Sequence, residues 1–174
     1  MTDRYERLLK LDNDKLIDVV KNYRQYGYDD QFRVDAINIL AGRGITTDQL
    51  KITGNYDNRT YDCANDLFTS FLKNSKIAFV LYMIFLSTRM IFPMLSNESE
   101  GLSILVSIVT IFAFILYFIF LIKSFMNQTQ FYKAIGQDYG TDGALLYLFI
   151  GMPFYIFMYF SFRNQMKEKM KEIR

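Results

Sequence analysis

Charge all but vanishes from one half of this chain. Residues 77–162 carry 3 Lys/Arg and 4 Asp/Glu, whereas residues 1–76 carry 12 of each and residues 163–174 carry 5 and 2. Within the charge-poor stretch lie three apolar segments, residues 77–95 (IAFVLYMIFLSTRMIFPML), 102–122 and 144–162. Each is close to the ~20 residues that a helix needs to cross the hydrocarbon core of a bilayer. Lipid offers no partner for backbone N–H and C=O groups, so such segments satisfy them internally as helices. The expected fold class is an all-α integral membrane protein: a soluble N-terminal helical hairpin followed by three apolar helical segments, making two or three full crossings. The polar start MTDRYERLLKLDND does not read as a signal peptide, so insertion is expected to begin at the first internal apolar segment.

The polar part divides into residues 1–51, a cytoplasmic helical hairpin module, and residues 52–76, a linker with an amphipathic helix. Residues 13–26 (NDKLIDVVKNYRQY) place Leu16, Ile17, Val20 and Tyr23 on one stripe, with Asp12 or Asn13 to cap the start and Gly27 to end the helix. A second helix is expected from about Gln31 to Arg43, capped by Asp29 or Asp30, burying Phe32, Ala36, Ile39 and Leu40 and stopping at Gly44. The short GYDD linker predicts antiparallel packing of the pair. Turn formers crowd ITGNYDNRT, residues 52–60, before an amphipathic helix from about Arg59 to Asn74 that nothing separates from the first apolar segment.

The stretch LIDVVKNYRQYGYDDQFRVDAINILAGRGI, above all its AINIL..RGI ending, resembles a short helical module that precedes membrane segments in uncharacterised small bacterial membrane proteins. The resemblance implies a bacterial inner-membrane setting and no activity. The module then serves either as a solubilising cap or as a docking surface, for which Leu16, Val20, Tyr23, Phe32 and Leu40 are the candidates.

Lys and Arg beside membrane segments favour the cytoplasmic side. With three full crossings and the N-terminus inside, Lys73, Lys76, Lys123 and Lys133 are cytoplasmic while the tail cations Arg163, Lys167, Lys169, Lys171 and Arg174 are outside; inversion merely reverses that balance. If residues 144–162 dip in and return at Gly151–Pro153, all nine cations are cytoplasmic. If residues 77–95 instead lie in the interface or re-enter, on account of Arg89 and Pro93, the division is seven to two. These alternatives stay open in the sequence.

Several chemistries are excluded outright. The chain has no His and a single Cys, Cys63, so it holds no Ser-His-Asp triad, His-ligated metal, disulfide or CxxC pair. No catalytic, cofactor-binding or metal-ligating residue is assigned, and no cofactor is expected. Loop 123–143 carries Gly136, Gly140 and Gly143 with Asp138 and Asp142, but lacks the lysine and spacing of a phosphate-binding loop.

The intramembrane polar candidates are Tyr82, Arg89, Ser103, Ser107, Thr110, Tyr117 and Tyr155. Arg89 costs about 2.5–3.5 kcal/mol on insertion scales unless it finds a partner or snorkels to the headgroups from its place six residues before Leu95. Ser103, Ser107, Thr110 and Tyr117 share one face of the second segment, and Tyr147, Gly151, Tyr155 and Tyr159 one face of the third. Such faces pack helices together or line a solute path.

The tail, residues 163–174, sets Met166, Met170 and Ile173 on a stripe among Arg163, Lys167, Lys169, Lys171 and Arg174, which predicts an amphipathic helix lying on an anionic lipid surface. Two glutamates in the run and the adjoining apolar segment speak against nucleic acid. The partners expected are the lipid bilayer and another membrane protein or a second copy. The function expected is a non-enzymatic accessory, scaffold or assembly subunit docking through the N-terminal module; the alternative is a small homo-oligomeric channel or transporter using the hydroxyl face and Arg89.

Overall fold

The computed structural model describes the backbone of residues 3–95, 100–137 and 141–173, and the side chains of residues 5–90, 101–137 and 154–173. The described residues form seven helices and no strand: α1 (Asp3–Leu9), α2 (Asn13–Asn22), α3 (Asp30–Gly42), α4 (Thr47–Ile52), α5 (Arg59–Leu95), α6 (Glu100–Ala134) and α7 (Thr141–Glu172). They fall into two compact units, Met1–Asp62 and Cys63–Arg174. The boundary lies within α5 rather than at residue 51 or 76.

In the first unit the capping residues act where the sequence puts them. The Asp12 carboxylate accepts from the Lys15 amide at 2.9 Å, and Asp29 accepts from the Phe32 amide at 2.8 Å. Those bonds satisfy N–H groups that a helix start leaves unpaired. The Lys15 amide and side chain hold the Asp12 carboxyl below its ordinary pKa. Gly27 and Gly44 take φ of +73° and +89°, the left-handed backbone that ends a helix and reverses the chain. Thr46 and Gln49 form a reciprocal capping box that starts α4.

The expected α2–α3 hairpin is present, though α2 stops at Asn22 instead of running through Tyr26. Two further elements join it. The core comprises Leu8 of α1, Leu16, Val19 and Val20 of α2, Ala36, Ile39 and Leu40 of α3, and Leu50 of α4. Arg43 fastens α1 by donating to the Leu9 and Leu11 carbonyls at 2.9 and 2.8 Å, acceptors that the end of a short helix leaves open. The module is thus a four-helix unit around one core.

In the second unit α5 and α6 run antiparallel in a regular register. Phe68 meets Phe131, Ser75 bonds to Ser124, Tyr82 stacks on Tyr117 and Phe85 lies against Phe114. The first three rungs climb α5 by seven residues as they descend α6 by seven, the repeat that keeps one seam of each helix facing the other.

The second half of α7 lies on this pair. Tyr82 of α5 meets Tyr155, whereas the earlier Phe79 meets the later Tyr159, so this half runs antiparallel to α5. Burial agrees with that direction. No described residue of α5 beyond Tyr82, and none of α6 before Ala113, is buried, yet Met166, Met170 and Ile173 are. A straight continuation along the exposed end would leave those three side chains uncovered. The chain changes course at Phe154, whose φ −115°, ψ 22° is the non-helical position within α7. The residue before it in the sequence is Pro153, which has no backbone N–H to continue a helix.

Two helices among the described residues, Arg59–Met90 and Gly101–Ala134, are long and apolar enough to cross a membrane. Only 22% and 17% of their most apolar windows are buried, unlike the core helix of a soluble protein. Ile104, Leu105, Ile108, Ile111 and Phe112 are all more than half exposed on α6.

Candidate functional site

The sequence candidates for docking lie inside the module. Leu16, Val20 and Leu40 have no exposed surface and Tyr23 is 6% exposed, so their apolar stripes build the core instead of meeting a partner. An amphipathic stripe records which face is covered, and here the module's own helices cover it. Phe32 is the exception. It stacks on the half-exposed Tyr28 with ring centroids 4.2 Å apart. Both border a groove of about 500 Å³ whose walls are Leu8, Leu11 and Val19, with Arg7 and Asp29 also lining it.

Tyr23 has another task. The Arg33 guanidinium sits over its ring at 4.8 Å and over Tyr56 at 4.2 Å, while donating to the Tyr56 carbonyl and, at 2.6 Å, to Asp57. This clamp ties residues 52–58 to α3. Next to it, Asn22 and Asn58 form a buried amide pair, Asn58 Nδ2 donating to Asn22 Oδ1 at 2.7 Å. Asn58 Oδ1 also accepts from the Tyr61 amide and so caps α5. Asn58→Ala removes that cap, worth ~1 kcal/mol, and strands a buried acceptor, worth ~1–3 kcal/mol. The expected loss of ~2–4 kcal/mol should appear as faster amide exchange across α2 and the start of α5.

In the second unit the intramembrane candidates separate into two groups. Tyr82, Tyr117 and Tyr155 form a closed aromatic triad with centroid separations of 5.4, 5.5 and 6.0 Å, and the Tyr155 hydroxyl donates to the Ser75 carbonyl at 3.0 Å. They fill space between helices and do not line an opening. Ser75 and Ser124, buried and bonded to each other, were not singled out by the sequence; their seven-residue spacing from Tyr82 and Tyr117 was the available signal. Gln128 is fully buried with both amide atoms unbonded, and nothing among the described residues explains it.

Arg89, Ser107 and Thr110 form the second group, lining a recess of about 170 Å³ with Ile111. Ser107 donates to the Ser103 carbonyl at 2.9 Å and Thr110 to the Val106 carbonyl at 2.7 Å. Ser103 therefore contributes backbone, one turn away.

The tail departs from expectation. Met166, Met170 and Ile173 are buried in protein, so this apolar stripe is not laid on lipid. Arg163 and Lys167 are exposed, while Lys169 and Lys171 pair with Glu172 and Glu168 at 2.8 Å. The Lys171 hydrogen bond and charge hold the Glu168 carboxyl below its ordinary pKa. Arg174, Asp138 and Gly140 lie outside the described residues, and the side chains of Asp142 and Tyr147 and the surroundings of Gly143 and Gly151 lie outside the described ones.

Among the described residues no group of three or more Cys, Asp or Glu is placed to hold a metal ion. No family model, curated protein or solved structure matches the chain.

Proposed function

We propose that this protein is a non-enzymatic accessory or scaffold subunit of a bacterial inner membrane, anchored by α5 and α6 and docking a partner through the N-terminal module. The groove beside Tyr28 and Phe32 carries this reading. It is an open, partly apolar groove next to a completed core, and a base and an acid line it together. Its occupant is a segment of another membrane protein that presents an apolar side chain flanked by charge.

Two further observations support the reading. The surfaces of α5 and α6 are apolar and exposed, which suits lipid and not water. With the module cytoplasmic, the course of α7 returns the tail to that side, where the basic residues belong.

The test is purification from native membranes in mild detergent, with Tyr28→Glu as the comparison. Tyr28 is 42% exposed, so the fold should tolerate the change. The expected result is a stoichiometric complex with a different protein for the natural sequence and its loss, roughly tenfold or more, for the variant. A homo-oligomer without a second protein would overturn the proposal.

A further inference from the structure

The seven-residue ladder between α5 and α6 has a fourth rung. Phe68, Ser75 and Tyr82 face Phe131, Ser124 and Tyr117; one repeat further on, Arg89 comes opposite Thr110. The first three rungs are closed by rings or by a hydroxyl pair. The fourth is open, and the 170 Å³ recess stands there.

Its chemistry is lopsided. Thr110 and Ser107 spend their hydroxyl protons on carbonyls of their own helix, so toward the recess they offer oxygen lone pairs. Among the described residues Arg89 forms no hydrogen bond or ion pair, so its five N–H donors face the recess without an acceptor there. A ligand for this site must bring anionic acceptors for the guanidinium and a donor for the hydroxyl oxygens. A planar guanidinium suits phosphate oxygens, which it engages two at a time.

The surroundings say how that phosphate arrives. Ile111 forms one wall, and Met90, Ile108 and Phe112 nearby are 79%, 63% and 63% exposed. An apolar surface around a phosphate site accommodates acyl chains. Arg89 stands six residues before the end of α5, about 9 Å of helix rise, within reach of the headgroup layer for a snorkelling side chain. The recess is several times the ~30 Å³ share of one water, roomy enough for a phosphodiester with a small polar head.

We infer that the recess between Arg89, Ser107 and Thr110 holds the headgroup of an anionic glycerophospholipid. The phosphodiester lies on the guanidinium, and a headgroup hydroxyl donates to the oxygens of Ser107 and Thr110. The assignment rests on the membrane reading above and names a ligand for the leaflet opposite the N-terminal module.

Native mass spectrometry of the full chain released from detergent tests it. The probes are dioleoyl phosphatidylglycerol, dioleoyl phosphatidylcholine, dioleoylglycerol (the same tails without phosphate) and inorganic phosphate. The natural sequence is expected to retain phosphatidylglycerol at least about tenfold better than dioleoylglycerol. Arg89→Gln should remove that preference, and Thr110→Val, which keeps shape and drops the hydroxyl, should weaken it about threefold.

Equal retention by Arg89→Gln and the natural chain would overturn the site while leaving the membrane anchor intact. Tight binding of inorganic phosphate in place of lipid, or equal retention of phosphatidylcholine, would overturn the ligand. A chain that stays soluble without detergent would instead overturn the membrane reading. Unchanged helicity by circular dichroism separates loss of the site from loss of the fold, and Thr110→Val serves if Arg89→Gln misfolds.

Discussion

Replacing Arg33 with alanine is expected to lower the stability of the N-terminal unit by ~3 kcal/mol, one of the largest effects of any single polar substitution there. The side chain is 15% exposed and joins three groups to α3: the Tyr56 carbonyl, the Asp57 carboxylate and the ring of Tyr56. Charge-assisted hydrogen bonds contribute ~1.5–3 kcal/mol each, and stacking on a partly desolvated ring ~1 kcal/mol. The sum overstates the loss, because Arg33 Nε is buried without a partner in the native state and water replaces part of what is removed.

Amide exchange on the full chain reads the effect without requiring the module to fold alone. Protection within residues 13–58 should fall about a hundredfold while that of α6 is unchanged. Arg33→Lys keeps the charge and loses the fork, and about half of the protection should return. If Arg33→Ala left protection within a factor of two, the clamp would be an ornament of the surface, and residues 52–58 would be held by the Asn22–Asn58 pair and by the packing of Tyr56 on the core.

The clamp also marks the limit of what was legible in the sequence. Local signals were strong where one residue governs its own turn. Asp12 and Asp29 cap helices, and Gly27 and Gly44 take the positive φ that ends them. The α2–α3 hairpin and the unbroken run of α5 into its apolar segment follow from periodicity and the absence of a breaker. Periodicity reports only that a face is covered. It therefore points to Leu16, Val20 and Leu40 as docking residues, whereas α1 and α4 complete their cover, and to Met166 and Met170 as lipid-facing, whereas protein buries them.

Long-range pairs left a fainter trace. Arg33 meets residues 23–24 positions away, and a charged side chain in a polar stretch gives no sign of that distance. The ladder was readable in principle. Arg89 lies seven residues after Tyr82, and Thr110 seven before Tyr117, so a seven-residue repeat in each helix was in plain view. Matching the two repeats needed the register, which the aromatic and serine rungs set only when the helices pack.

The proposed topology makes an all-or-none prediction about sidedness. Cys63 is the chain's sole cysteine and is exposed, so it reports the side of the module without engineering. A membrane-impermeant maleimide should label it in inside-out vesicles and fail in right-side-out ones. In a Cys63→Ser background, Asn164→Cys, at an exposed position after the bend of α7, should behave in the same way. Gly101→Cys should show the opposite pattern; a Cβ there meets nothing within 4 Å, so the substitution is sterically free. The physical reason is twofold. The ring pairs Tyr82–Tyr155 and Phe79–Tyr159 turn the second half of α7 back along α5, and in the proposed topology this course leaves Lys73, Lys76, Lys123, Lys133, Arg163, Lys167, Lys169 and Lys171 on one side. Near an anionic surface each unpaired cation contributes ~1 kcal/mol; with Lys169 and Lys171 paired to glutamates, the tail's five cations and two anions leave a net charge of +3, so sending it across would forfeit ~3 kcal/mol and leave Met166 and Met170 without their protein cover. Labelling of Asn164→Cys from the face opposite Cys63 would mean three full crossings and a merely kinked third segment. It would sink the two-crossing arrangement, and the positive charges of the tail would then need a partner of their own on the far side.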